Sequence, residues 1–258
     1  MASSPNWDER APGVPLRFIV LHYTGMVSTD AAMARLCSPE SRVSAHYLID
    51  EGGALIPLVD TDKRAWHAGV SFWKGLTDLN SASFGIELAN PGHEFGYRPF
   101  PEAQLATLLP LLHSLIARHG LDRTEALVGH SDIAPERKSD PGELFPWQRL
   151  AEEEGLGLWP SPTPDDEQAS PEADEPAHLL RALGYAVDGA ETPTRTTSEG
   201  LVAALTAFQR RYRPEKVTGK ADKETLARLR ALTRAYAQRP VFCANDEARG
   251  AKAAATRA

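Results

Sequence analysis

The sequence predicts an α/β protein: a mixed central β-sheet flanked by helices, followed by a small three-helix C-terminal domain. Three observations carry this. Short apolar runs of strand length, Arg17–Thr24, Phe84–Leu88 and Ala126–Val128, end in polar or glycine-bearing segments, as buried strands do. Leucines recur at helical spacing between Glu102 and His119. After a stretch rich in Pro, Ser, Asp and Glu, a second set of helical repeats begins near Ala177.

Taken in order, residues 1–15 are polar, carry three prolines and read as an irregular arm. The first strand follows and ends at His22. A short helix is expected over Asp30–Cys37, capped by Thr29 or Asp30 and stopped by Pro39. Val43–Ile49 and Ala54–Val59 flank a glycine-rich turn, Asp50–Gly53, and read as a hairpin with His46 inside its first strand. Trp66, His67 and Trp73 lie on a glycine-punctuated loop. Phe84–Leu88 is a strand interrupted by Glu87, a carboxylate that burial would penalise unless it is paired. Asn90–Gly92 makes a turn. The helix over Glu102–His119 has Pro101 at its start and Gly120 at its end, and His113 and His119 fall on it with no assigned chemistry.

The segment from Leu127 to Gly142 organises the rest. It brings His130, Lys138 and Asp140 onto one loop stiffened by Pro135 and Pro141. Ordering such a loop costs entropy, and function concentrates on loops of this kind. The spacing alone leaves two readings open, a surface loop with solvated heads or one metal ion held by His130 and Asp140 with Lys138 pointing into the same site. His22, at the end of a buried strand, would complete an N, N, O set. Three such ligands suit one catalytic zinc ion with an open position. With only Cys37 and Cys243 available, a thiolate-based structural zinc site or a disulfide framework is not expected.

From Ser161 to Pro176 the composition is that of a semi-stiff acidic linker. Beyond it, Leu179–Leu183 outlines a helix ending at Gly184, Leu201–Tyr212 a second, and a third opens at Thr218 or Asp222. The domains are therefore read as 1–160, a linker at 161–176, a helical unit at 177–236 and a loose tail at 237–258.

The 258 residues carry a net charge of −7 without a basic stripe, which speaks against nucleic acid as a partner. No apolar run is long enough to span a membrane. The start lacks a basic and then apolar leader, so a cytoplasmic location is expected if Met1 is native, and a periplasmic one if a leader has been trimmed.

His22-Tyr-Thr24, Ser44–Ile49, Ala65-Trp-His-Ala-Gly69, Phe84–Leu88 and Gly129–Ile133 with Arg137–Gly142 come in the order found in the zinc N-acetylmuramoyl-L-alanine amidases. Residues 10–160 resemble that family, most of all its AmpD and AmiD branch. One departure is Glu136 where the family has glycine, for which a changed turn is expected and not a lost site. The resemblance implies an amidase or peptidoglycan-recognition-like fold, zinc on His22, His130 and Asp140, and Glu87 as general base. Lys138 would stabilise the developing oxyanion, and His46, Trp66, His67 and Asn90 are candidates for the substrate site. The implied reaction cuts the amide between N-acetylmuramic acid and L-alanine, with muropeptides, anhydro-muropeptides or murein as the partner. Two other readings are a peptidoglycan-recognition protein that binds without cutting, and a zinc peptidase acting within the stem peptide. Residues 207–226 resemble a three-helix peptidoglycan-binding module.

Overall fold

A computed structural model of the chain describes residues 3–170, 172–187 and 198–239. Strand β1 (Trp7–Glu9) opens the chain, followed by β2 (Phe18–Tyr23), α1 (Thr29–Leu36), β3 (Tyr47–Ile49), β4 (Leu55–Pro57) and β5 (Lys63–Ala65). One-turn helix α2 (Leu79–Ala82) leads into β6 (Ser83–Leu88), then come one-turn α3 (Gly92–Phe95), α4 (Glu102–His119), β7 (Leu127–Gly129) and one-turn α5 (His130–Ile133). Helices α6 (Trp147–Glu154), α7 (Pro164–Gln168), α8 (Glu175–Leu183), α9 (Ser198–Tyr212) and α10 (Lys223–Ala237) complete the described chain.

The central sheet has five strands in the order β4-β3-β6-β2-β7. The β3–β4 hairpin is antiparallel, while β3–β6, β6–β2 and β2–β7 are parallel, so the sheet is mixed as expected. Strand side chains alternate between faces, and β2 shows it cleanly. Ile19 and Leu21 enter a core with α4 and α6 that includes Leu108, Leu112 and Leu150. Phe18 and Val20 enter the opposite core, which contains Leu180, Phe208 and Leu229 of the C-terminal helices. One continuous apolar cluster therefore joins the sheet to the helical unit. By parity, His22 leaves β2 on the face of Phe18 and Val20.

Several elements differ from the sequence reading. The N-terminal arm is not irregular: β1 pairs antiparallel with β5 in a second, two-stranded sheet. Arg10 fixes the arm by donating from Nη1 to the carbonyls of Asn80, Ser81 and Ser83 at 3.2, 2.7 and 3.0 Å. Helix α1 is capped by Ser28, whose side chain accepts from the Ala31 amide. The acidic stretch at 161–176 carries α7, with Pro164 in its first turn and Thr163 and Asp166 bonding each other's backbone amides. Asp166 is buried and paired with Arg234 of α10. The expected tail begins with described residues, since Gln238 caps α10 and Arg239 pairs with Asp122 and Glu125. Its remainder, with Cys243, lies outside the described residues. No helix among the described residues is long and apolar enough to cross a membrane.

Candidate metal centre and cleft

His22 is the last but one residue of β2, before Tyr23, and His130 is the first residue after β7, the neighbouring parallel strand. The nine-residue gap from His130 to Asp140 closes through the backbone: the Arg137 and Lys138 amides donate to the Ala134 carbonyl, and the Ser131 amide donates to the Asp140 carbonyl at 2.8 Å. The loop thus doubles back and returns Asp140 to His130. Glu136 sits in the turn without a positive φ, so the site has no need of glycine there.

Three donor atoms converge. His22 Nδ1 lies 2.9 Å from His130 Nδ1, and each lies 3.0 Å from Asp140 Oδ2. Two ligands on one tetrahedral zinc ion would stand roughly 3.3 Å apart, given metal–nitrogen distances of about 2.0–2.1 Å. All three residues are buried, and this is the grouping of metal-capable side chains found among the described residues.

The outer bonds of the imidazoles leave the correct nitrogens free. His130 Nε2 donates to the Ala68 carbonyl at 3.1 Å, which makes Nδ1 the lone-pair nitrogen. His22 Nε2 lies 3.2 Å from His67 Nδ1, and His67 Nε2 lies 3.4 Å from Ser83 Oγ, whose proton goes to the Leu79 carbonyl. Read along that chain, each imidazole donates from Nε2, so His22 also presents a bare Nδ1. Burial, with His130 beside it, holds the His22 imidazole down at about 4, and burial holds His67 well below its ordinary value. Both rings are neutral at pH 7, the form in which His22 can ligate metal and His67 can accept from His22 Nε2. Burial opposes ionisation of Asp140, but charge and hydrogen bonding from His130 and His22, where these rings carry the extra proton, outweigh it and hold the carboxylate well below its usual range. The donor set and its tautomers fit one divalent cation of the zinc type.

Glu87 faces the same cleft. It pairs with His22 in the parallel β2–β6 register. Its Oε2 is buried and makes no hydrogen bond. Burial, reinforced by the Asp140 charge and opposed by Lys138, pushes its carboxyl up to about 8. Glu87 and Lys138 line a cleft of about 560 Å³ together with the three convergent residues and His67. That volume lies within the range of small-molecule sites.

The remaining substrate candidates stand elsewhere. His46 is fully buried, accepting from the Gly85 amide at Nδ1 and lying 3.1 Å from the Lys63 carbonyl at Nε2. Trp66 donates its indole N–H to Asp8 of the arm. Asn90 spends its side chain on the Arg98 carbonyl and the Gly92 amide. His67 reaches the cleft as the support of His22; its backbone amide and that of Ala68 are held by Asn80 Oδ1 at 2.9 and 2.8 Å. The sequence reading missed Tyr23, Arg35, Phe95 and Ser139 on the cleft wall. Tyr23 and Ser139 adjoin candidate ligands in sequence, which is the signal that could have found them; their hydroxyls meet at 2.8 Å.

Residues 12–143 match the N-acetylmuramoyl-L-alanine amidase family, and residues 177–229 match a putative peptidoglycan binding domain. The chain is 38% identical over 248 residues to the N-acetylmuramoyl-L-alanine amidase AmiD of Escherichia coli K12, covering 86% of this chain and 84% of that protein. The structure of that amidase in complex with the substrate anhydro-N-acetylmuramic acid-L-Ala-D-gamma-Glu-L-Lys superposes with a TM-score of 0.72 at 35% identity, covering 90% of this chain and 94% of the other. AmpDh3 of Pseudomonas aeruginosa, in complex with anhydromuramic pentapeptide, gives a TM-score of 0.76 at 31% identity over 92% of this chain and 98% of its own. The 1,6-anhydro-N-acetylmuramyl-L-alanine amidase AmpD of Haemophilus influenzae is 32% identical over 57% of this chain and 86% of its own length.

Proposed function

This chain belongs to the N-acetylmuramoyl-L-alanine amidase family, and from that premise we propose how it works. It hydrolyses the amide between N-acetylmuramic acid, or its anhydro form, and the L-alanine of the stem peptide, using one zinc ion held by His22, His130 and Asp140. The observation that carries this reading is the convergence of those three donors at 2.9–3.0 Å beside an unpartnered carboxylate oxygen of Glu87.

Zinc bound there would supply Lewis acidity, easing deprotonation of water and polarising the scissile carbonyl. Glu87 takes a proton from the attacking water at Oε2 and returns it to the leaving nitrogen. A base poised near neutrality serves both transfers, and burial pushes its carboxyl up to about 8. Lys138, on the cleft wall, stabilises negative charge developing on the carbonyl oxygen. His67 and the Ala68 carbonyl hold the two imidazoles in the ligating tautomer. The leaving group is the intact stem peptide.

Residues 1–160 are the catalytic unit in this reading, and residues 177–236 a peptidoglycan-binding-like unit, in keeping with the two family matches. The substrate class is soluble anhydro-muropeptide from wall turnover, the ligand class named for the E. coli and P. aeruginosa relatives. The deciding experiment combines zinc analysis with mass identification of products from one soluble anhydro-muropeptide and from intact sacculi. Free intact stem peptide from the soluble substrate supports the reading. Cleavage within the stem would make the protein a peptidase, and zinc-independent binding without cleavage would make it a recognition protein.

A further inference from the structure

The strongest group of buried polar atoms outside the cleft lies beneath His130. Asp132 is two residues on, in the one-turn helix α5, and is 1% exposed. Its Oδ2 accepts from the Gly129 amide at 2.8 Å and from Arg211 Nη1 at 2.7 Å. Its Oδ1 accepts from the Tyr185 hydroxyl at 2.7 Å. The other arm of the Arg211 fork, Nη2, donates to the carbonyl of Leu127 on β7 at 3.0 Å. Arg211 also lies over the Trp147 ring, 4.1 Å from its centroid. Tyr185 follows α8 and Arg211 is on α9, so both reach across from the helical unit. Around this polar knot the same apolar cluster holds Val128, Ile133 and Ala134 together with Leu180, Leu183 and Phe208.

We propose that Arg211 and Tyr185 are positioning residues for the metal site: by gripping Asp132 and Leu127 they fix the β7–α5 junction that aims His130, and so set the zinc affinity of the cleft. This rests on the reading of His130 as a zinc ligand. A ligand must sit within about 0.2 Å of its place. Groups that orient ligands from outside are worth about 10–100-fold in metal affinity. Arg211 is suited to the task because its planar fork spans two acceptors in fixed geometry. Removing it leaves the Asp132 charge buried without a counter-ion, and α5 must then shift to relieve it. The helical unit is thereby part of the catalytic apparatus, whatever it binds.

The test uses the full chain and measures zinc affinity by competition with a chromophoric chelator, with folding followed by circular dichroism. The variants are Tyr185→Phe, Arg211→Met and the double variant Asp132→Asn with Arg211→Met. Arg211→Met is expected to weaken zinc binding about tenfold or more, Tyr185→Phe less, with kcat recovered at saturating zinc and KM unchanged. Should Arg211→Met fail to fold, the other two carry the measurement, since neither leaves a lone buried charge. Folded variants with the parent's zinc affinity overturn the proposal. So does unfolding of all three with or without zinc, since the residues would then support the fold alone. A parent protein that binds no zinc is a different result and sinks the zinc reading itself.

Discussion

His22 and Glu87 are register partners on the parallel strands β2 and β6. The first candidate ligand and the candidate base therefore leave the sheet side by side, about 4.8 Å apart at the backbone. Neither loop motion nor side-chain choice elsewhere sets that separation. The sheet does, and both side chains line the cleft it floors.

Replacing Glu87 by Gln keeps the shape and removes the base. Hydrolysis of a soluble anhydro-muropeptide should fall about 10²–10⁴-fold, while zinc affinity, measured on the same sample, holds. If zinc binding disappears with the activity, Glu87 is a ligand and the roles must be redrawn.

Lys138 is assigned to the oxyanion, so its loss should appear in kcat. Lys138→Ala is expected to lower kcat about 10²–10³-fold with little change in KM, and Lys138→Arg should recover part of it. A rise in KM alone would move Lys138 to ground-state binding of the substrate.

His46 should contribute to acid stability alongside His22 and His67, whose imidazoles burial also holds down. Burial, with Arg10 beside it, holds the His46 imidazole down at about 3, against 6.5 when unfolded. Below pH 6.5 the unfolded chain takes up a proton that the folded one refuses. Stability is therefore intact above that value and drains away as pH falls towards 3. In urea unfolding of the zinc-free protein between about pH 6 and pH 4, the parent should lose up to about 1.4 kcal/mol per pH unit more than His46→Gln. Parallel slopes would exclude His46 as the cause.

Gly85 makes room for His67. A Cβ at this position would stand 2.4 Å from His67 Cγ, an overlap that must push the imidazole off His22. Gly85→Ala should cost about 1–3 kcal/mol in unfolding free energy and weaken zinc binding. Lost stability with unchanged zinc affinity would show that His22 holds its orientation without His67.

What the sequence revealed follows from which interactions are local. Helix α4 runs over Glu102–His119 as its leucine spacing predicts, because one buried stripe dictates it. Strand β2 was legible as an apolar run, although it continues one residue past the expected end at His22, to Tyr23, which still pairs with Leu88. The match of five motifs to a known family picked out His22, His130 and Asp140, which converge in the fold, while the nine-residue gap to Asp140 was opaque because a backbone bond from Ser131 closes it. The arm was misread because its order comes from remote carbonyls reached by Arg10, which leave no local pattern. His46, Trp66 and Asn90 carry the right chemistry for a cleft, yet their partners are Gly85, Asp8 and Arg98, all distant in sequence. Helix α7 was hidden by acidic, proline-rich composition, although Thr163-Pro-Asp-Asp166 has the spacing of a helix start.

The fastening of α7 changes what the second family match can do. Arg230 binds Glu175 and the Asp166 carbonyl, and Arg234 binds the Asp166 carboxylate, so the stretch joining the two units is strapped along α10. The helical unit is then held at one set distance and angle from the cleft. The two halves are geared together like parts of one gauge, with no slack tether between them.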